Sequence, residues 1–281
     1  MAPRHSSSNS PSIPPSRLTA GQVPPGVHLG EWGAELVGTA ILILCGLSAI
    51  CLDFAPGSPV QPVLHSASAR LLLTGVLFAG SGSLVAVSPL GRLSGAHLNP
   101  AVTIAFWMRA MVHRHDLFGY IGAQFFGAAL GVLVALAAWG PRLRQVDFGA
   151  TLPHAGVSPT AAVALEAVMT AVLVGTILAM VSHHRTMRLT PLAVWLLVAI
   201  LVWQGAGFTG TGLNPARSLW PDMLAGRLDV YWVYVVGPLA GSAAAAGITG
   251  LLLRRGPHTA KLFHDPSYRS VFKSGARHPS R

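Results

Sequence analysis

The sequence predicts an all-α polytopic membrane protein, built as an inverted repeat of six transmembrane helices and two shorter re-entrant half-helices. Three observations lead there. Only 10% of the residues are charged and the mean hydropathy is +0.55, where roughly a quarter of an ordinary soluble domain is charged. Six apolar stretches are each long enough to cross a bilayer as a helix. The tripeptide Asn-Pro-Ala occurs twice, as Asn99-Pro100-Ala101 and Asn214-Pro215-Ala216, and each copy opens a segment too short to span.

Along the chain, residues 1–28 are rich in Ser and Pro without apolar periodicity and read as a disordered tail. They lack the apolar core of a secretory signal peptide. The first half, about 31–140, holds spans near 31–52, 69–89 and 117–139, with a half-helix at about 99–109. The second half, about 158–254, holds spans near 159–181, 190–209 and 230–253, with a half-helix at about 214–224. Together they make one membrane domain over 29–254, followed by a basic tail at 255–281. Each half-helix starts at an Asn, a strong N-cap, followed by Pro, which is favoured at the first helical position. Each is preceded by a glycine-containing run, Gly95-Ala96-His97-Leu98 and Gly210-Thr211-Gly212-Leu213. Short Gly/Pro-interrupted segments at matching positions of two halves point to a site near the bilayer midplane.

The halves also match in carrying one carboxylate each in the leading helix, Glu35 and Glu166. Three spans per half make the second half enter from the opposite side, so both termini lie on one face. Fourteen of the nineteen Lys and Arg residues fall on that face, which the positive-inside rule makes cytoplasmic, in a cell membrane. The formal charge of +10 is scattered over loops and ends, so a nucleic-acid partner is not predicted. Cys45 and Cys51 are too few for a disulfide framework and read as packing residues. The 31 glycines fit helices that approach closely through small residues. No HExxH, paired aspartate, nucleophile setting or phosphate loop is present, so neither an enzyme nor a bound metal or cofactor is predicted.

The runs Ser94-Gly95-Ala96-His97-Leu98-Asn99-Pro100-Ala101-Val102-Thr103 and Thr209-Gly210-Thr211-Gly212-Leu213-Asn214-Pro215-Ala216-Arg217-Ser218 resemble the two signature loops of the aquaporin, or major intrinsic protein, family. The resemblance covers about residues 30–253 and includes Glu35, Gln124, Glu166 and Val236-Gly237-Pro238. It implies a passive channel for water and small neutral solutes that lies in the lipid bilayer as a homotetramer. Half-helix N-termini would each bring roughly half a positive charge to the pore centre. Asn99 and Asn214 would then donate hydrogen bonds to a passing oxygen, with their acceptor oxygens occupied in capping.

The same resemblance makes Arg217 the arginine of the narrow selectivity filter. The other three filter positions fall on Thr211, inside the motif, and by counting on Ala79 and Val202, twenty residues before Asn99 and twelve before Asn214. Strict water channels carry an aromatic and a histidine where this chain has Ala79 and Val202. The glycerol-facilitator pattern is absent too, because Ser218 follows the arginine and Asp222 sits where a basic residue is usual. The combination is similar to nodulin-like and some bacterial channels, which implies passage of glycerol, boric acid or arsenous acid beside water. A water-selective pore and a secondary transporter are the alternatives. Glu35, Glu166 and His97 are expected to support the re-entrant loops structurally, although intramembrane carboxylates also serve as proton relays.

Overall fold

The structure is a computed structural model that describes residues 26–253 and 256–272. Residues 1–25, almost all of the predicted N-terminal tail, and 273–281 lie outside the described residues. The first half runs through α1 (Leu29–Phe54), α2 (Ala67–Val87), the short α3 (Pro89–Ser94), the half-helix α4 (Pro100–Met108) and α5 (Arg114–Trp139). A short α6 (Pro141–Arg144) and an irregular loop lead to the second half. That half comprises α7 (Pro159–Val181), α8 (Thr190–Thr209), the half-helix α9 (Pro215–Leu224), the turn α10 (Leu228–Tyr231) and α11 (Val233–Leu252). Among the described residues, six helices are long and apolar enough to cross a membrane, so the all-helical expectation holds with boundaries shifted by a few residues.

Local chemistry sets these limits. Ser66 and Ser158 cap α2 and α7 by accepting from the N–H groups of Ala69 and Ala161, which satisfies donors that a helix start leaves open. Gly95 and Gly210 end α3 and α8 in the left-handed region, at φ 97° and 75°, which costs glycine nothing. These two stops free the chain to turn inward before each Asn-Pro-Ala.

The halves pack by the same device. In α5, a Cβ on Gly127 would collide with the Leu36 carbonyl of α1, and one on Gly131 would lie 2.6 Å from Ala40 O. In α11, a Cβ on Gly241 would collide with Ala167 O of α7, and one on Gly237 would lie 2.7 Å from the Glu166 Cβ. Each leading helix therefore meets the last helix of its own half at backbone distance, the close approach that small residues permit. Between halves, α2 crosses α8 with Gly75 against Ala199, and Ser83 donates to the Pro191 carbonyl at 2.9 Å. Large apolar side chains such as Leu84, Phe126, Leu196 and Leu251 point outward, while backbone polar groups stay bonded within helices, as a hydrocarbon solvent demands.

Candidate functional site

Each re-entrant loop is hung from its own glutamate. Glu35 Oε1 accepts from Ser94 Oγ (2.8 Å) and His97 N (2.9 Å), and Oε2 accepts from Leu98 N (2.7 Å) and Gln124 Nε2 (2.8 Å). The second half repeats the pattern. Glu166 Oε1 accepts from Thr209 Oγ1 (2.7 Å) and Gly212 N (2.8 Å), and Oε2 from Leu213 N (2.8 Å). To present those N–H groups, Ala96 and Leu98 take φ values of 53° and 51°, and their counterparts Thr211 and Leu213 take 52° and 56°. Left-handed backbone at four non-glycine residues costs on the order of 1 kcal/mol each. The charge-assisted bonds to the buried carboxylates offset it. A tyrosine completes each set: Tyr120 donates to Ser94 O at 2.7 Å, and Tyr234 to Thr209 O at 2.6 Å.

The half-helices start where the two loops meet. Asn99 Oδ1 caps α4 by accepting from Ala101 N (2.8 Å), and Asn214 Oδ1 caps α9 by accepting from Ala216 N (3.0 Å). Their amide nitrogens cross between the halves: Asn99 donates to Leu213 O at 2.9 Å and Asn214 to Leu98 O at 2.8 Å. An amide nitrogen carries two hydrogens, so each asparagine keeps one for a third partner. Both asparagines are nearly buried and both line a central cavity of about 330 Å³.

Ala79, Val202, Thr211 and Arg217, read from three separate stretches of sequence, line that same cavity. Arg217 is 7% exposed and donates from one terminal nitrogen to the Gly149 carbonyl at 2.8 Å. Its guanidinium carbon lies 5.6 Å from the Phe78 ring centroid, within range of cation–π attraction. Thr211 Oγ1 donates to Leu201 O at 3.3 Å. Pro100, Ala101, Pro215 and Ala216 are buried behind the asparagines and form the first turns of α4 and α9.

Several participants carry no signal that the motifs expose. Phe78 precedes the counted filter position by one residue, and it flanks Arg217 where Ala79 supplies only a methyl. Gly149 lies in the 140–158 loop, held at φ 66°. That loop is anchored by Asp222, a fully buried carboxylate in α9, whose Oδ1 accepts from Thr151 N (2.7 Å) and Thr151 Oγ1 (3.1 Å). Asp222 thus sets the carbonyl that faces Arg217 through two residues of loop. His97 bonds beyond its own loop. Its Nε2 lies 2.7 Å from Ala260 O and its Nδ1 lies 3.1 Å from Thr103 Oγ1. A carbonyl only accepts, so Nε2 carries the hydrogen.

Two capped half-helices facing each other inside a six-helix bundle, with a lined cavity between them, define an inverted-repeat membrane channel. A family model described as major intrinsic protein matches residues 27–249. The probable aquaporin AqpM of Archaeoglobus fulgidus is 37% identical over 235 residues, covering 79% of this chain and 96% of that one. Aquaporin NIP1-1 of Oryza sativa subsp. japonica is 31% identical over 245 residues, covering 86% and 78%. The X-ray structure of the aquaglyceroporin from Plasmodium falciparum superposes with a TM-score of 0.68 at 22% identity, covering 80% of this chain and 97% of that one, a likeness of fold. The chain belongs to the major intrinsic protein family. Its members are channels, and this chain is a multi-pass membrane channel, not an enzyme.

Proposed function

We propose that the cavity is the conducting path for water and for small uncharged hydroxylated solutes of the glycerol, boric acid or arsenous acid type, with protons and ions excluded. The observation that carries the reading is the pair of crossed asparagines. Each is fixed by a cap on one side and a cross-loop bond on the other, which leaves a single aimed donor at the start of a half-helix. Two such donors, two positive helix ends and the Arg217 guanidinium suit an oxygen that accepts, and they repel a cation. The general account of aquaporin-type pores, selectivity through diameter, lining donors and electrostatic barriers, applies directly.

Ala79, Val202, Thr211 and Arg217 are the proposed filter. Ala79 and Val202 offer no donor and little bulk, so the opening admits more than water, while Phe78 keeps an apolar flank beside Arg217. Glu35, Glu166 and His97 serve as supports of the loops. This is favoured over a proton relay because neither glutamate lines the cavity and both bond loop backbone. A homotetramer in the plasma or inner membrane, with cytoplasmic termini, completes the proposal.

Stopped-flow swelling of proteoliposomes tests it. Water and at least one neutral solute should cross with low activation energy and no dependence on ions or voltage. Water flux without uptake of any such solute returns the pore to the water-selective class, and ion-coupled flux makes it a transporter. Val202→His should curb the larger solutes more than water.

A further inference from the structure

Residues 256–272 follow the last span, and in sequence they read as the start of a basic tail. In the structure they lie across the end of the bundle where α1 begins and α11 ends. One end of this segment is fixed to the second half: His258 N donates to Val181 O at 3.0 Å, and the His258 ring stacks on His184 with centroids 3.9 Å apart. The other end is fixed to the first half, where Arg269 Nε donates to Glu31 Oε1 at 2.8 Å and Arg269 Nη2 to Oε2 at 3.2 Å. Between them the segment runs directly beneath the first re-entrant loop. Leu262 N donates to Gly95 O at 3.0 Å, Ala260 O receives His97 Nε2, and Phe272 stacks on the His97 ring at 5.4 Å.

Lys261 is the strongest sign that this placement is specific. The residue is 1% exposed, and Nζ donates to Arg92 O and Arg269 O, each at 2.6 Å. Burial pushes its ammonium down to about 8, against the pull of Glu31 and Asp265. An ammonium is buried only where fixed acceptors replace its water. Next to it in sequence, Leu262 lines the same cavity as Asn99 and Val202. Of the segment's described residues, Leu262 alone is placed among the cavity's lining.

We propose that the 256–272 segment is a fixed wall of the pore at this mouth, and that Leu262 is a permeation-determining residue supplied by it. Lys261, Arg269 and the His97–Ala260 bond are positioning contacts that hold Leu262 at the path. The reading rests on the cavity being the conducting path, so the experiment first requires flux through the wild-type protein.

Full-length wild type, Leu262→Ala, Leu262→Cys and Arg269→Glu are reconstituted, and water and glycerol fluxes are measured per reconstituted chain. Leu262→Ala should raise glycerol flux several-fold with a smaller rise for water, and Arg269→Glu should move in the same direction. Because any variant can fold poorly, Leu262→Cys is also labelled after reconstitution with a bulky methanethiosulfonate, with wild type as the control for Cys45 and Cys51. Labelling should remove half or more of the water flux of Leu262→Cys alone. A wild type that conducts, together with Leu262→Ala flux equal to it and a labelled cysteine that blocks nothing, overturns the proposal. A wild type that conducts nothing overturns the reading of the cavity instead.

Discussion

Glu35 and Glu166 do their work entirely by accepting. Every bond to their oxygens comes from a loop N–H, a hydroxyl or an amide of the same half. Replacing Glu166 with Gln puts an NH2 group where Leu213 N or Gly212 N already donates. One bond is lost if the NH2 faces Leu213 N and two if it faces Gly212 N and Thr209 Oγ1, and in either case donors are left facing each other. Hydrogen bonds to charged groups contribute about 1.5–3 kcal/mol each, so Glu166→Gln should destabilise by about 3 kcal/mol and lower the apparent Tm measured in detergent. An unchanged Tm argues against a supporting role. Asp222 belongs at this scale as well. Asp222→Ala removes both acceptors of Thr151, so Gly149 O is no longer held against Arg217 and the freed guanidinium can extend into the path. Water flux should fall, and glycerol flux should fall further, with Asp222→Asn between the two because one acceptor remains. A glycerol-to-water ratio equal to wild type in Asp222→Ala shows that the loop does not depend on this anchor.

Among the elements, what can be read from sequence depends on how local the cause is. The six spans declare themselves because a bilayer demands about twenty apolar residues in succession. The half-helices declare themselves because an Asn cap and a Pro at the first position sit side by side. The loop that carries Gly149 has no such signature: its shape depends on Asp222, seventy-one residues from Thr151. The 256–272 segment depends on His97, one hundred and sixty-three residues from Ala260, so its polar composition reads as a tail. Helix crossings fall between these cases. Glycines are visible in sequence, but only the structure separates Gly241, where an added methyl would strike the Ala167 carbonyl, from Gly247 on the same helix, where it would meet nothing within 4 Å. Gly241→Ala must push α11 off α7, which should cost about 2 kcal/mol or more as overpacking. Gly247→Ala should be neutral or stabilising by up to about 1 kcal/mol, because alanine suits a helix better. Thermal unfolding of the two variants side by side decides it, and equal losses would contradict the crossing geometry.

For the whole molecule, the pseudo-two-fold relation between halves organises the chemistry, and the charge distribution breaks the symmetry. Paired elements occur throughout: Glu35 with Glu166, Ser94 with Thr209, Tyr120 with Tyr234, Asn99 with Asn214. Arg217 has no basic counterpart in the first half, where Val102 follows the Asn-Pro-Ala, and the segments that follow the last helix of each half, 140–158 and 256–272, pack on Gly210 and Gly95 with different side chains, so the two mouths of the pore differ. One mouth is walled by the Gly149 loop against Arg217, the other by Leu262 from the C-terminal segment. The face with Leu262 also holds Arg92, Arg109, Arg114, Arg185, Arg188, Lys261 and Arg269, and fewer basic residues lie on the other. Juxtamembrane basic residues are retained on the cytoplasmic side, so the Leu262 mouth should face the cytoplasm. Single cysteines test this in intact cells on a background with Cys45 and Cys51 replaced by alanine. Ala155→Cys, in the exposed loop next to the Gly149 wall, should react with a membrane-impermeant maleimide added outside. His184→Cys, at the start of the loop after α7, should react only after the cells are opened. The reverse pattern would invert the channel, placing the Leu262 wall at the external mouth and Arg217, the proposed filter residue, nearer the cytoplasmic one.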